Sequence, residues 1–120
     1  MSEHDEQAAL FEWAARLSGR HPELGYLYAI PNGGHRHRAT AARLKAEGVK
    51  AGYPDIGLDV ARQGFHGLRI ELKFGANKGT PDQRRWHTWL RGQGYSVWEC
   101  RGWVQARQVV CWYLGIEDVD

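Results

Sequence analysis

Cysteine is nearly missing from this chain: Cys100 and Cys111 are all there is, with no CxxC or other ligand spacing between them. That argues against a zinc-cysteine cluster or a disulfide framework, and it suits two buried or half-buried thiols in a reducing cytoplasm. Long apolar runs are missing too. No segment reaches membrane-spanning length or has the form of a signal peptide, so a soluble, intracellular protein with no membrane partner is expected. A strong excess of either charge is absent, since the net charge is +2. Partners must therefore be read from where the charges sit. Repeats, low-complexity tracts and dividing linkers are also lacking, and residues 1–120 are read as a single domain. A chain of this length buries roughly two-thirds of its unfolded surface around one core.

What is present is concentrated between Gly52 and Gln83, GYPDIGLDVARQGFHGLRIELKFGANKGTPDQ. From Leu68 the residues alternate, with Leu68, Ile70, Leu72 and Phe74 on one face and Arg69, Glu71 and Lys73 on the other. Glu71 and Lys73 therefore project side by side. In the preceding run Ile56, Leu58 and Val60 form the apolar set, and Asp55, Gly57 and Asp59 share the opposite face. With Arg62 to Gly67 as a hairpin loop, the two strands pair antiparallel, which brings Asp55 near the end of the second strand, beside Lys73. A Glu and a Lys two apart on a strand also read as a solvated ion pair, worth roughly 0 to 1 kcal/mol. The conjunction of Pro-Asp, one hairpin, Glu-x-Lys and Thr-Pro-x-Gln in one short span is what favours a site.

The first helix is expected from about Glu3 to Leu17, with Ser2 as N-cap and Asp5 completing an approximate capping box. At about 100° per residue, Glu6, Leu10, Trp13 and Leu17 share a stripe, so Glu6 sits on the core-facing edge. A first-turn acid favoured by the helix dipole is the ordinary explanation. Gly25 to Ile30 reads as a short strand ended by Pro31, and Asn32-Gly33-Gly34 as a turn. His35 to Lys50 then holds five Lys or Arg against one acid, with a helix from about Ala39 to Glu47. It is a solvated face or a clamp for a phosphate backbone, in which Arg36 and Arg38 are the leading contacts and Lys45 and Lys50 further ones. Lys78, on the Gly75 to Gly79 loop, is another. His35 and His37 lack a nearby third metal ligand.

Thr80 caps a further helix with Pro81 at its first position, and Gln83 either closes a capping box or serves a site at the helix start. A strand, YSVWEC, and a last helix over about Trp103 to Leu114 follow. Six tryptophans at helical and strand spacing fit a core or a dimer contact better than base stacking. Trp86 and Trp103 are the candidates for exposure.

GYPDIGLDV, GLRIELK and TPDQRRWHTWLRGQGYSVWECRGWVQA together resemble the VRR-NUC domain, a branch of the PD-(D/E)xK nuclease superfamily. The similarity reaches back through IPNGGHRHRATAARLKAEGVKAG to the first helix and so covers most of the chain, as in the small stand-alone members carried by phages and bacteria. The resemblance implies an α/β fold with a restriction-endonuclease-like core, a central mixed β-sheet flanked by α-helices. It implies that Asp55, Glu71 and the Leu72 carbonyl hold Mg²⁺ or Mn²⁺, with Glu6 as a further acid from the first helix and Glu3 a less well aligned substitute. Lys73 would orient or deprotonate the attacking water, and Gln83 would support the Lys or the water. No organic cofactor is implied.

Three such carboxylates would repel, each pair about 4 Å apart by roughly 4 kcal/mol at an effective dielectric near 20, and Lys73 offsets one of them. A divalent cation with oxygen ligands suits the remainder. Stand-alone relatives resemble Holliday-junction resolvases and act as homodimers, so the expectation is a metal-dependent endodeoxyribonuclease acting on branched DNA or four-way junctions in a bacterial cytoplasm, host- or phage-encoded. A non-catalytic DNA-binding module on the same fold is the competing reading. A restriction-type or RNA-directed nuclease is a third.

Overall fold

A computed structural model describes residues 1–31 and 38–118. Arg36, His35 and His37 lie outside the described residues, as does the side chain of Arg38.

The first helix, α1 (Glu3–Leu17), starts as its sequence dictates. Ser2 Oγ accepts the Asp5 N–H at 3.1 Å, and Asp5 accepts the Ser2 N–H at 3.0 Å. Such a cap contributes about 1 kcal/mol. Leu10, Trp13 and Ala14 form its buried stripe. The strand expected from Gly25 to Ile30 is mostly something else. Pro22–Tyr26 winds as a 3₁₀ turn with proline's fixed φ at its start, and only β1 (Tyr28–Ala29) pairs. After it, α2 (Arg38–Ala46) precedes the central strands.

β2 (Ile56–Leu58), shorter than the expected run to Val60, pairs antiparallel with β1 and with β3 (Leu68–Lys73). Ile56 lies opposite Ile70, the hairpin geometry expected around Arg62 to Gly67. α3 (Pro81–Gly92) then crosses to β4 (Ser96–Arg101), which pairs parallel to β3, and α4 (Trp103–Leu114) follows. The sheet order is β1-β2-β3-β4, a mixed α/β sheet flanked by helices.

One face of the sheet carries Ile56, Leu58, Leu68, Ile70, Leu72 and Cys100 into a core shared with α1 and α4. Burial pushes the Cys100 thiol up to about 12 and that of Cys111 up to about 11, so neither is a ready thiolate. The opposite face carries Arg69, Glu71 and Lys73, and α3 lies on that side. They are buried as well, at 7%, 3% and 7% exposure, which rules out a solvated Glu71–Lys73 pair. Arg69 is accounted for by Asp59 at 3.0 Å, the Tyr53 hydroxyl at 3.1 Å and the Tyr95 ring at 4.7 Å. The other two face the start of α3, at Gln83.

Trp86 and Trp103 are not the exposed indoles. Trp86 faces the segment before β2, donating to the Ala51 carbonyl at 3.1 Å, and the Arg107 guanidinium lies over Trp103 at 5.2 Å. The exposed tryptophans are Trp89, Trp98 and Trp112. Among the described residues no helix is long and apolar enough to cross a membrane.

Candidate active site

The site forms where β3 ends and α3 begins, and the segment before β2 is fastened to both. Gly52 makes this possible: its φ is +91°, and a Cβ there would lie 2.6 Å from the Asp82 carbonyl carbon. Only glycine lets this backbone press against the first turn of α3. Tyr53 then packs edge-on against Trp86, ring centroids 4.9 Å apart. Asp55 is delivered to the last residues of β3, where its Oδ2 accepts the Leu72 N–H at 2.8 Å. That bond continues the β2–β3 ladder past the start of β2 with a side chain in place of a carbonyl.

Glu71, Lys73 and Gln83 complete the cluster. Gln83 Oε1 accepts from Lys73 Nζ at 2.5 Å and from the Thr80 N–H at 3.0 Å, while its Nε2 donates to Glu71 Oε2 at 3.4 Å. Thr80 Oγ1 accepts the Gln83 N–H at 3.2 Å. The two readings of Gln83 are therefore one arrangement: the capping box fixes the amide, and the fixed amide holds Lys73 and Glu71. A cavity of about 340 Å³ opens here, lined by Glu3, Asp55, Glu71, Leu72, Lys73, Asn77, Lys78, Thr80 and Gln83. Because the Leu72 side chain lies in the core, Leu72 presents its main chain to this cavity.

Electrostatics mark the two acids. Burial, then the neighbouring Glu71 carboxyl, pushes Asp55 up to about 7, against the opposing Leu72 N–H and Lys73. Glu71 is also raised, first by burial, with Glu3 and Glu99 adding to it. Two desolvated carboxyls beside each other hold a proton more readily than either does in water.

Of the sequence candidates, Asp55, Glu71, Lys73 and Gln83 come together, with Leu72 beside them. Glu6 does not line this cavity. Its Oε2 accepts the Trp103 N–H at 2.8 Å, capping the start of α4. One turn earlier on α1, Glu3 reaches the cavity instead. The helical stripe rightly turned Glu6 inward, but what it meets there is a helix end. Lys78 lines the cavity, whereas Lys45 and Lys50 are exposed and do not line it.

Two residues went unread. His87 lies one turn after Gln83 on the same side of α3, with Nε2 3.7 Å from Glu71 Oε1. That is too long for a hydrogen bond, and burial lowers the imidazole pKa, so the pair is not ionic. Both atoms are buried without a hydrogen-bond partner among the described residues. The signal was available in the i, i+4 spacing from Gln83. Glu99 stands beside Glu71 in the parallel register of β3 and β4, and only that register reveals it. Among the described residues no group of three or more His, Cys, Asp or Glu side chains encloses a metal position.

A solved structure described as "VRR_NUC domain protein" is similar to all of this chain and to 93% of its own, at 34% sequence identity and a TM-score of 0.81. No family model and no curated protein matches the chain.

Proposed function

Because the chain belongs to the VRR-NUC family of nuclease domains, we propose that it is a Mg²⁺- or Mn²⁺-dependent endonuclease that hydrolyses phosphodiester bonds in branched DNA. The observation that carries this reading is the meeting of Asp55, Glu71, Lys73 and Gln83 in one cavity.

The donors fit a hard divalent cation. Asp55 and Glu71 offer carboxylate oxygens and Leu72 its main-chain carbonyl, and a set this small leaves room for the waters Mg²⁺ retains. Glu3 takes the part first given to Glu6. An ion held by these residues would supply Lewis-acid chemistry for a phosphate and lower the pKa of coordinated water. Lys73 orients the attacking water or accepts its proton, and its charge counters the charge that develops on the phosphate. Gln83 holds Lys73 in place. Lys78 at the cavity edge, Lys45 and Lys50 beyond it, Arg36 before α2 and Arg38 at its first position are the proposed contacts to the phosphate backbone.

A four-way junction presents two matching strands, and a homodimer presents two sites related by a two-fold axis. The test is cleavage of a labelled four-way junction and a matched linear duplex with Mg²⁺, Mn²⁺ or EDTA, for wild type and Lys73→Ala. Metal-dependent cutting of the junction by wild type, lost in the variant while binding persists, is expected. A wild type that binds but never cuts makes the chain a DNA-binding module. Light scattering with and without the junction tests the dimer, and a monomer in both conditions ends the paired-cut reading.

A further inference from the structure

The side of α3 that carries Gln83 and His87 is occupied by Glu71 and Lys73. Its outward side is open. There Pro81, Arg84, Arg85, Thr88 and Trp89 line a groove of about 510 Å³. Trp89 is 60% exposed and is the most exposed of the three open tryptophans. Both arginines are exposed.

We propose that this groove holds the nucleic-acid strand running out of the catalytic cavity, with a base or sugar against Trp89 and phosphates on Arg84 and Arg85; this rests on the nuclease reading above. Continuity with the cavity is the first argument. A Cβ at Gly79 would lie 3.6 Å from Glu99 Oε2, 3.8 Å from Gln83 Oε1 and 3.9 Å from Arg84 Nη1, so the cavity's amide and the groove's guanidinium meet at a single glycine, with one carboxylate beside them. Arg84 is held there, donating to the Gly79 carbonyl at 2.7 Å. Reach is the second argument. From Gln83 to Trp89 the helix rises about 9 Å, so the cavity and the indole lie within a few nucleotides of one strand.

Charge chooses the occupant. A second copy of this chain packed here about a two-fold axis would set Arg84 and Arg85 against their own counterparts. Asp82 relieves Arg85 alone, in a surface pair at 3.0 Å. A polyanion meets both arginines favourably, and the indole one turn further along α3 accepts any base, because every base has a stacking face.

The test is equilibrium binding of a labelled duplex with a single-stranded arm, measured in EDTA so that the result does not depend on cutting. Stacking of this kind predicts that Trp89→Ala weakens binding by roughly 5- to 150-fold, while Trp89→Phe restores most of the loss. The paired variant Arg84→Ala and Arg85→Ala should reduce the steepness of the salt dependence by about one to two in log–log slope. Melting curves matched to wild type exclude misfolding. Unchanged affinity and salt slope in these variants overturns the proposal. So does a change of Trp89→Ala from dimer to monomer in light scattering, which would make the groove a contact between copies. Failure of the wild type to cut any DNA, with the binding losses intact, would sink the nuclease reading and leave the groove standing.

Discussion

The N-termini of α3 and α4 both follow a turn beside the sheet, and they are satisfied in opposite ways. α3 caps itself: Thr80 and Gln83 exchange hydrogen bonds, and the same Gln83 amide reaches Lys73 and Glu71. α4 begins after Gly102, whose φ of +89° suits glycine and whose missing side chain supplies no cap, so it borrows Glu6 from α1. The difference teaches that an acid's role is set by what it faces. Glu3 and Glu6 are the same residue type one turn apart, and one faces a cavity while the other closes a helix.

The largest effect should come from the self-capped side. Glu71→Gln or Lys73→Ala is expected to lower junction cleavage by about a thousand-fold or more, as when a charge-stabilising group is lost. Retained cleavage in either would detach catalysis from this cavity. Next, His87→Leu removes the buried imidazole 3.7 Å from Glu71 Oε1 and should weaken Mg²⁺ binding about 10-fold by calorimetry, the usual consequence of disturbing a ligand's supporting shell. On the borrowed side, Glu6→Ala should cost about 1.5–3 kcal/mol in urea unfolding. Glu6→Gln, which keeps the acceptor, should cost far less and leave cleavage intact. A metal ligand would respond in the reverse way, with Gln as damaging as Ala.

The pH dependence separates the two sides again. Asp55 titrates near 3.8 in its ordinary state and about 7 in the folded, metal-free protein. Between those values the folded chain keeps a proton that the unfolded chain has lost, so the stability contributed is full below 3.8 and fades as pH rises toward about 7. Thermal melts in EDTA should show this loss, and added Mg²⁺ should raise the melting temperature more above that folded value than below it. The smallest change is Thr80→Ala, about 1 kcal/mol for a lost cap. Because Gln83 answers to that cap, cleavage should fall as well, though less than for Lys73→Ala.

Much of this was legible because local rules produced it. The Ser2 and Thr80 caps announce α1 and α3, the alternation from Leu68 gives β3 its two faces, and the hairpin around Arg62 to Gly67 brings Asp55 to Leu72. Where the reading failed, the deciding contact came from a distant part of the chain. Glu6 turns inward as its stripe requires, but no periodicity says that Trp103 waits there. The Arg69, Glu71 and Lys73 face reads as polar, and only the packing of α3 shows that it is buried. Pro22 diverts the segment before Tyr28 into a 3₁₀ turn. Glu99 joins the site through a parallel pairing that local sequence does not encode.

The most direct test of the central claim is anomalous scattering from crystals soaked in Mn²⁺ at a pH above the Asp55 value of about 7. The account predicts a peak bounded by Asp55, Glu71 and the Leu72 carbonyl, with Lys73 alongside and none at Glu6. A protein that cuts DNA with Mn²⁺ yet shows no peak there, or shows it at Glu6, would contradict it.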